Sequence, residues 1–472
     1  MKRAIRWYDY ITFNIYWFAL TTRAQVISPL IIPLLVQRFV GEAAKGSYVG
    51  NMRLGALMIA VLFQALMGML SDQSNSKWGK RRPFIAAGTI GEVIILILIG
   101  FSAGLDGMTG YWFLFALYTL SMASSNTSHA AMQGIIPDLV PENLRGRFSG
   151  VKALLELPLP LIFVSFVIGR MVSKGNLWGS LFLLIGILIF CMLITMTIRE
   201  TPHTNPYKSF DWQPILRLFL MTAAFAAIIL ISGFLVRQAT RLTLDEFGVP
   251  NQSVVVILGL IGMAFAIWFG VWSSIAIGLG KRIKEQRSFT WWVVNRLTFL
   301  AGSTNLAGFM IFFLQERFVQ YQGEKAAAPA ATITMFVGIF ILISALPSGW
   351  LSDRLGKKIM ITISALLAAA GTVVVIFSPT LTLMYAGGAL IGAGIGFFYA
   401  ANWALGTEIV PSEEAGKFLG ISNLAGAGAG AVGAYIGGPI ADQIGYTPLL
   451  GIYAVLFLLS FVALFNIREK VE

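Results

Sequence analysis

Among the side chains able to carry or exchange a proton that fall inside long apolar stretches are Arg23, Glu92, His129, Lys152 and Glu156. A carboxyl in such a setting can take up and release a proton if burial or a changing cationic neighbour moves its affinity between two states. Glu92 with Arg23 and Glu156 with Lys152 are therefore the two candidate proton-coupling pairs. His129 is the only other group that titrates near neutral pH. Each pair also has a plainer reading. Lys152 and Glu156 stand at the i, i+4 spacing of helix-surface neighbours. Glu92 shares a face with Gly88, Leu96 and Ala103, which suits a structural ion pair as well as a proton site. Glu92 with Arg23 ranks first, because that pair lies deeper in its stretches.

A second set of residues could hold a small ligand. In the stretch 111–136, Tyr118, Ser125, His129 and Gln133 share one helical sector, with Asn126 beside it. The stretch 381–405 places Tyr399 and Trp403, with Asn402 between, at positions equivalent to His129 and Gln133. The stretch 290–314 carries Asn295, Thr298, Gly302 and Asn305 on one stripe. The candidate contacts are His129, Gln133, Asn295, Tyr399, Asn402 and Trp403. Polar groups facing aromatic rings suit a hydroxyl-rich molecule with apolar faces, such as a sugar, and equally suit amphipathic compounds. Asparagine and threonine at such positions also join helices to one another.

The elements that must position these residues follow from composition. With 57% apolar and 12% charged residues, the chain departs from soluble proteins, in which about 25% of residues are charged. It belongs in a bilayer. The net charge of +12 comes from short basic clusters between apolar runs and not from one stripe, so it argues for membrane topology and against nucleic acid. The single cysteine, Cys191, offers no disulfide within the chain. No phosphate-binding Gly-x-x-x-x-Gly-Lys-Ser/Thr loop occurs, and the only histidines are His129 and His203. An ATP-driven pump and a metalloenzyme are not expected; neither is any cofactor.

A bilayer span takes about 20 apolar residues. Six spans fall near 9–37, 52–71, 84–104, 111–136, 150–171 and 177–198, two more near 214–236 and 253–279, and six near 290–314, 331–350, 359–378, 381–405, 418–440 and 447–466. Pro158 and Pro160 should bend the fifth. The halves repeat: Asp138-Leu139-Val140-Pro141 is echoed by Glu408-Ile409-Val410-Pro411. The expected fold is an all-α polytopic membrane protein of two parallel six-helix repeats plus an inserted helix pair, fourteen spans in all. Its divisions are 1–200, an inserted segment 201–287, and 288–472. Arg145, Arg147, Arg199, Lys208, Lys281, Arg282, Lys284, Arg287, Lys357, Lys358, Arg468 and Lys470 fall in alternate loops, which places those loops and both termini in the cytoplasm.

The motif that marks the repeat runs from Gly68 through Leu70-Ser71-Asp72 to Gly79-Lys80-Arg81-Arg82, and returns as Gly349-Trp350-Leu351-Ser352-Asp353 with Gly356-Lys357-Lys358. It resembles the loop 2–3 signature of the major facilitator superfamily. The longer stretch Lys77 to Ile85 is similar to plant-type sucrose:proton symporters and to the glycoside-pentoside-hexuronide branch. The resemblance implies alternating access and a gating role for Gly68, Asp72, Gly79, Arg81, Arg82, Asp353, Gly356 and Lys357. Physically, a carboxylate beside an arginine cluster and a helix terminus can form a breakable clamp. The span 52–71 holds no aspartate, unlike sodium-dependent melibiose-type symporters, so protons are the expected coupling ion. The expected protein is a monomeric plasma (inner) membrane transporter that imports a sugar or glycoside with protons. Proton-driven efflux of amphipathic compounds is the alternative within transport, and a non-transporting receptor or assembly factor is the alternative outside it.

Overall fold

A computed structural model describes residues 5–200, 212–247, 251–280, 286–410 and 415–467. Lys208, Lys281, Arg282, Lys284, Pro411, Arg468 and Lys470, used above for orientation and repeat, lie outside the described residues.

In a bilayer every backbone N–H and C=O must find its partner within the protein, and a continuous helix achieves this along its own length. The described chain is accordingly helical: α1 Asp9–Val40, α2 Lys45–Asp72, α3 Arg82–Ser102, α4 Gly107–Leu139, α5 Glu142–Ser173, α6 Leu177–Thr195, α7 Gln213–Phe247, α8 Gln252–Leu279, α9 Arg287–Arg317, α10 Ala327–Leu355, α11 Lys357–Phe377, α12 Leu381–Ile409, α13 Ala415–Ile444 and α14 Tyr446–Val462. Thirteen of these contain a segment long and apolar enough to cross a membrane. The remaining one, α4, is long enough but carries Thr119, Ser121, Asn126, His129 and Gln133 among other polar residues. The all-α polytopic class expected from the sequence is the one observed.

Two helices are interrupted. In α1 a π-helical turn, Ile27–Ile31, accommodates Pro29. In α5 the regular helix stops at Glu156, because Pro158 cannot supply a backbone N–H, and a π turn follows at Val164–Ile168.

The chain divides into two compact units, residues 1–39 with 59–215, and residues 40–58 with 216–472. In the first unit α1 is the most buried span, held by a hydrogen bond from Tyr16 to Thr89 of α3 (2.5 Å) and by Asn14 Nδ2 donating to the Phe148 carbonyl (3.2 Å). In the second unit α9 is the most buried. Phe299 stacks on Phe398 of α12 with ring centroids 3.7 Å apart, and Phe457 of α14 closes the same aromatic core.

The inserted pair α7 and α8 does not stand apart as a separate segment. Both helices group with the second unit, because Gly233 of α7 receives Tyr435 of α13, and Gly259 of α8 receives Ile440 of α13 and Ile452 of α14. The first half of α2 also belongs to that unit. Its opening amides, Gly46 N and Ser47 N, donate to the two carboxylate oxygens of Asp442 (2.8 and 2.7 Å), so α13 supplies the anion that a helix N-terminus favours.

Candidate functional site

The first charged cluster is built by α1, α4 and α5. One helical turn separates Lys152 from Glu156, and their Nζ and Oε2 atoms lie 3.4 Å apart. Lys152 also sits 3.9 Å from the ring centroid of Trp17. The same indole meets His129 edge-on at 5.2 Å, and Gln133 Nε2 lies 3.4 Å from His129 Nε2. Trp17 thus joins the residues read from the sequence as ligand contacts to those read as a coupling pair. The cluster is open at one side: Gln133 is exposed, His129 half-buried, and the Lys152 and Glu156 side chains are 28% and 39% exposed. The Trp17 indole N–H is buried and lacks a hydrogen-bond partner among the described residues.

The second cluster is sealed. Arg23 Nε donates to Glu92 Oε1 at 2.6 Å, Ser121 Oγ donates to the same oxygen at 2.8 Å, and Arg23 also hydrogen-bonds Ser121. Arg23 and Glu92 are only 4% and 2% exposed. Glu92 Oε2 is buried without a partner among the described residues. A charge pair this deep is held by its mutual attraction, and losing either member leaves an uncompensated charge.

The second unit treats its candidates unequally. Asn402 Nδ2 donates to Asn295 Oδ1 at 2.7 Å, Asn295 Nδ2 donates to the Ser460 carbonyl at 2.8 Å, and Trp292 Nε1 donates to the Asn402 carbonyl at 2.9 Å. Asn295 and Asn402 are fully buried, so they bridge α9, α12 and α14 and present no surface to a ligand. Tyr399 and Trp403 are exposed on α12.

The repeated loop motif also differs between its copies. In both, a glycine with positive φ turns the chain into the next helix: Gly79 at 110° and Gly356 at 93°. In the first copy the Arg81 guanidinium is buried and binds Asp72 Oδ1 (2.5 Å), Asp138 Oδ2 (2.8 Å) and Ser71 Oγ (2.9 Å), while Lys80 lies 3.4 Å from both carboxylates. Gly134 of α4 makes room for this, since a Cβ there would strike the guanidinium. Glu200 accepts from the backbone amides of Arg81 and Arg82 (2.8 and 3.2 Å), placing an anion at the start of α3. Gly68 faces Ala130 of α4. In the second copy Lys357 pairs with Glu408, and Lys358 Nζ donates to the Ile467 carbonyl at 2.7 Å. Asp353 is exposed and makes no ion pair among the described residues.

Residues 12–319 and 297–472 each match the Major Facilitator Superfamily. The chain belongs to that superfamily. It is 37% identical over 160 residues to the multidrug resistance protein MdtG of Escherichia coli O6:K15:H31 (strain 536 / UPEC), a match that takes in 32% of this chain and 39% of that protein. Its fold is that of a peptide transporter solved in complex with sulfate (TM-score 0.66, 15% identity, 99% of this chain and 96% of that one). It is also that of a D-xylose-proton symporter (TM-score 0.65, 15% identity, 98% of each chain).

Within this superfamily member, sequence reasoning missed three contributors. Trp17 was invisible because a tryptophan in an apolar run reads as packing. Glu200 reaches α3 from the far end of α6, and nothing local announces that contact. Arg296, the single arginine in the interior of α9, was legible as an intramembrane cation.

Proposed function

We propose that this superfamily member is a secondary transporter that works by alternating access and couples import of a sugar or glycoside to protons. The observation that carries this reading is the cluster of Lys152, Glu156, Trp17, His129 and Gln133, which joins a partly exposed carboxylate and its cation to an aromatic face and polar contacts. Glu156 is the favoured coupling carboxyl, ahead of Glu92, because a proton must be able to reach it, and Glu156 is partly exposed whereas the Glu92 pair is sealed within the protein. Protonating Glu156 would release Lys152, so proton and substrate occupancy bear on the same few atoms. His129, Gln133, Tyr399 and Trp403 are the proposed substrate contacts, with Asn295 and Asn402 in a supporting role. The Asp72, Arg81 and Asp138 network is the proposed gate. The likeness of the Lys77–Ile85 stretch to sucrose and glycoside symporters supports the substrate class. The distribution of loop cations supports cytoplasmic termini in the plasma membrane, and a monomer suffices for the mechanism.

The experiment is substrate-dependent proton movement in proteoliposomes, read by an internal pH dye against a panel of neutral glycosides. Inward proton flux on adding a glycoside outside is the expected result. Absence of flux with every glycoside contradicts it. The partial identity to a multidrug resistance protein favours a second reading, proton-driven efflux of amphipathic compounds. Under that reading the same vesicles exchange protons for amphipathic cations and ignore glycosides.

A further inference from the structure

The inserted pair α7 and α8 carries a cation to which the transport reading gives no role, Arg237. It lies within the α7 span, Gln213–Leu242, near its far end. An arginine near a helix end ordinarily extends to the membrane surface. Arg237 instead turns to its neighbours: Nη2 donates to Asn51 Oδ1 of α2 at 3.3 Å, and the guanidinium carbon lies 4.9 Å from the ring centroid of Tyr435 of α13. Its Nε is buried without an acceptor among the described residues, so these contacts are made at the cost of hydration. Gly233, one turn earlier on the same face of α7, makes the second contact possible, because a Cβ there would collide with the Tyr435 ring. Helix α8 backs α7 at this level: Gly262 receives Val236, the residue before Arg237, while Gly259 receives Ile440 of α13.

Asn51 stands in the part of α2 that fits α13 most tightly. A Cβ at Gly46 would lie 2.6 Å from the Gly438 carbonyl oxygen, and one at Gly50 would strike that of Ala434, so the two backbones touch. Asp442 of α13 accepts the opening amides of α2, and Arg53 Nη1 donates to Asn305 Oδ1 of α9 at 3.3 Å. Those holds come from the repeated helices; the Arg237 contact comes from the insertion. The division between the compact units falls within α2, after residue 58. A continuous helix divided in this way must part from α13 if the first unit is to carry it as a rigid body. Every contact that α7 adds to its first half weighs against that step.

We propose that Arg237 is a positioning residue of the transport cycle: through Asn51 and Tyr435 it holds the first half of α2 on α13, and the inserted pair thereby acts as a brake on α2 release. This rests on alternating access as read above and gives the insertion a conformational role in that cycle.

The test reads α2 release in the full-length protein in nanodiscs. Val49 is fully buried and shares the α2 face of Gly46, Gly50 and Arg53. Val49→Cys, in a Cys191→Ala background, therefore offers a thiol to N-ethylmaleimide only when α2 leaves its site. Arg237→Gln should speed alkylation about fivefold, the size of one hydrogen bond lost from the docked state. Asn51→Asp turns the contact into a charge pair, so it should slow both alkylation and glycoside exchange by about twofold or more, and adding Arg237→Gln should abolish the slowing. A residue that merely supported the fold would not slow the cycle when its contact is strengthened. The Asp variant also carries the test if Arg237→Gln misfolds. Unchanged alkylation in Arg237→Gln or in Asn51→Asp overturns the inference, as does a slowing that survives the added Arg237→Gln. The expected alkylation changes in both variants, with no proton flux for any glycoside, support the brake and overturn the glycoside reading alone.

Discussion

Helix α1 touches two charge pairs of the first unit, supplying Arg23 to one and laying Trp17 beside the other, and the two differ in exposure. Arg23 meets Glu92 in a place where neither side chain is more than 4% exposed, whereas Lys152, stacked on Trp17, meets Glu156 where both stand partly open. Burial makes the first pair expensive to break, because a lone charge would remain without water or partner. Exposure makes the second cheap to break, since an accessible i, i+4 pair contributes only a few tenths of a kcal/mol. A proton carrier needs the second property. Depth in the membrane ranks Glu92 first on sequence grounds; weighing exposure instead, we propose the opposite order for the two pairs.

The largest effect that can test this contrast is on stability. Glu92→Leu strands Arg23 and should cost about 3–5 kcal/mol, seen as a large drop in the thermal unfolding temperature of the purified protein. Adding Arg23→Met removes both charges and should restore much of that loss. A single variant as stable as the parent would mean that the pair is not structural.

A smaller loss is expected at the asparagine bridge of the second unit. Asn295→Leu leaves the Asn402 amide without its acceptor and the Ser460 carbonyl without its donor, at about 1–3 kcal/mol. Thermal unfolding together with unchanged glycoside affinity would assign Asn295 to support and not to contact. A selective loss of affinity in a protein of normal stability would return it to the ligand site.

The loop copies extend the comparison to exposed charges. Asp72→Asn weakens a network around a buried arginine, but Asp72 is itself 57% exposed, so stability should fall by less than about 1 kcal/mol. The expected change is slower cycling with retained substrate affinity. Asp353→Asn removes a carboxylate that makes no ion pair among the described residues and should leave both quantities unchanged. Equal effects of the two variants on transport rate would show that the copies act alike despite their different contacts.

Much of this was legible in the sequence. The helical class follows from apolar runs of spanning length, the glycine turns from the repeated motif, and the scarcity of intramembrane ions makes an Arg23 and Glu92 pair one of few possible matches. Polar residues at helical spacing on α4 announce a special helix, and they are what lowers its hydropathy below that of the other spans. Other features depend on tertiary geometry that no local pattern encodes. The two copies of Ser-Asp read alike, yet Arg81 has no arginine counterpart beside Lys357, and Lys358 turns to the Ile467 carbonyl instead of to Asp353. Asn295 and Asn402 look like ligand contacts on a helical wheel, and only the structure reveals that they satisfy each other. The grouping of residues 40–58 with the second unit depends on Asp442, far along the chain, capping α2.

The central question for the molecule is which carboxyl carries the proton. The direct measurement is glycoside accumulation in proteoliposomes under an imposed pH gradient, compared with glycoside exchange at equal pH on both sides, for Glu156→Gln. The expected variant folds with nearly parental stability, exchanges glycoside, and no longer concentrates it against its gradient. A Glu156→Gln protein that still concentrates glycoside as the parent does contradicts the account and returns the coupling role to Glu92 or His129.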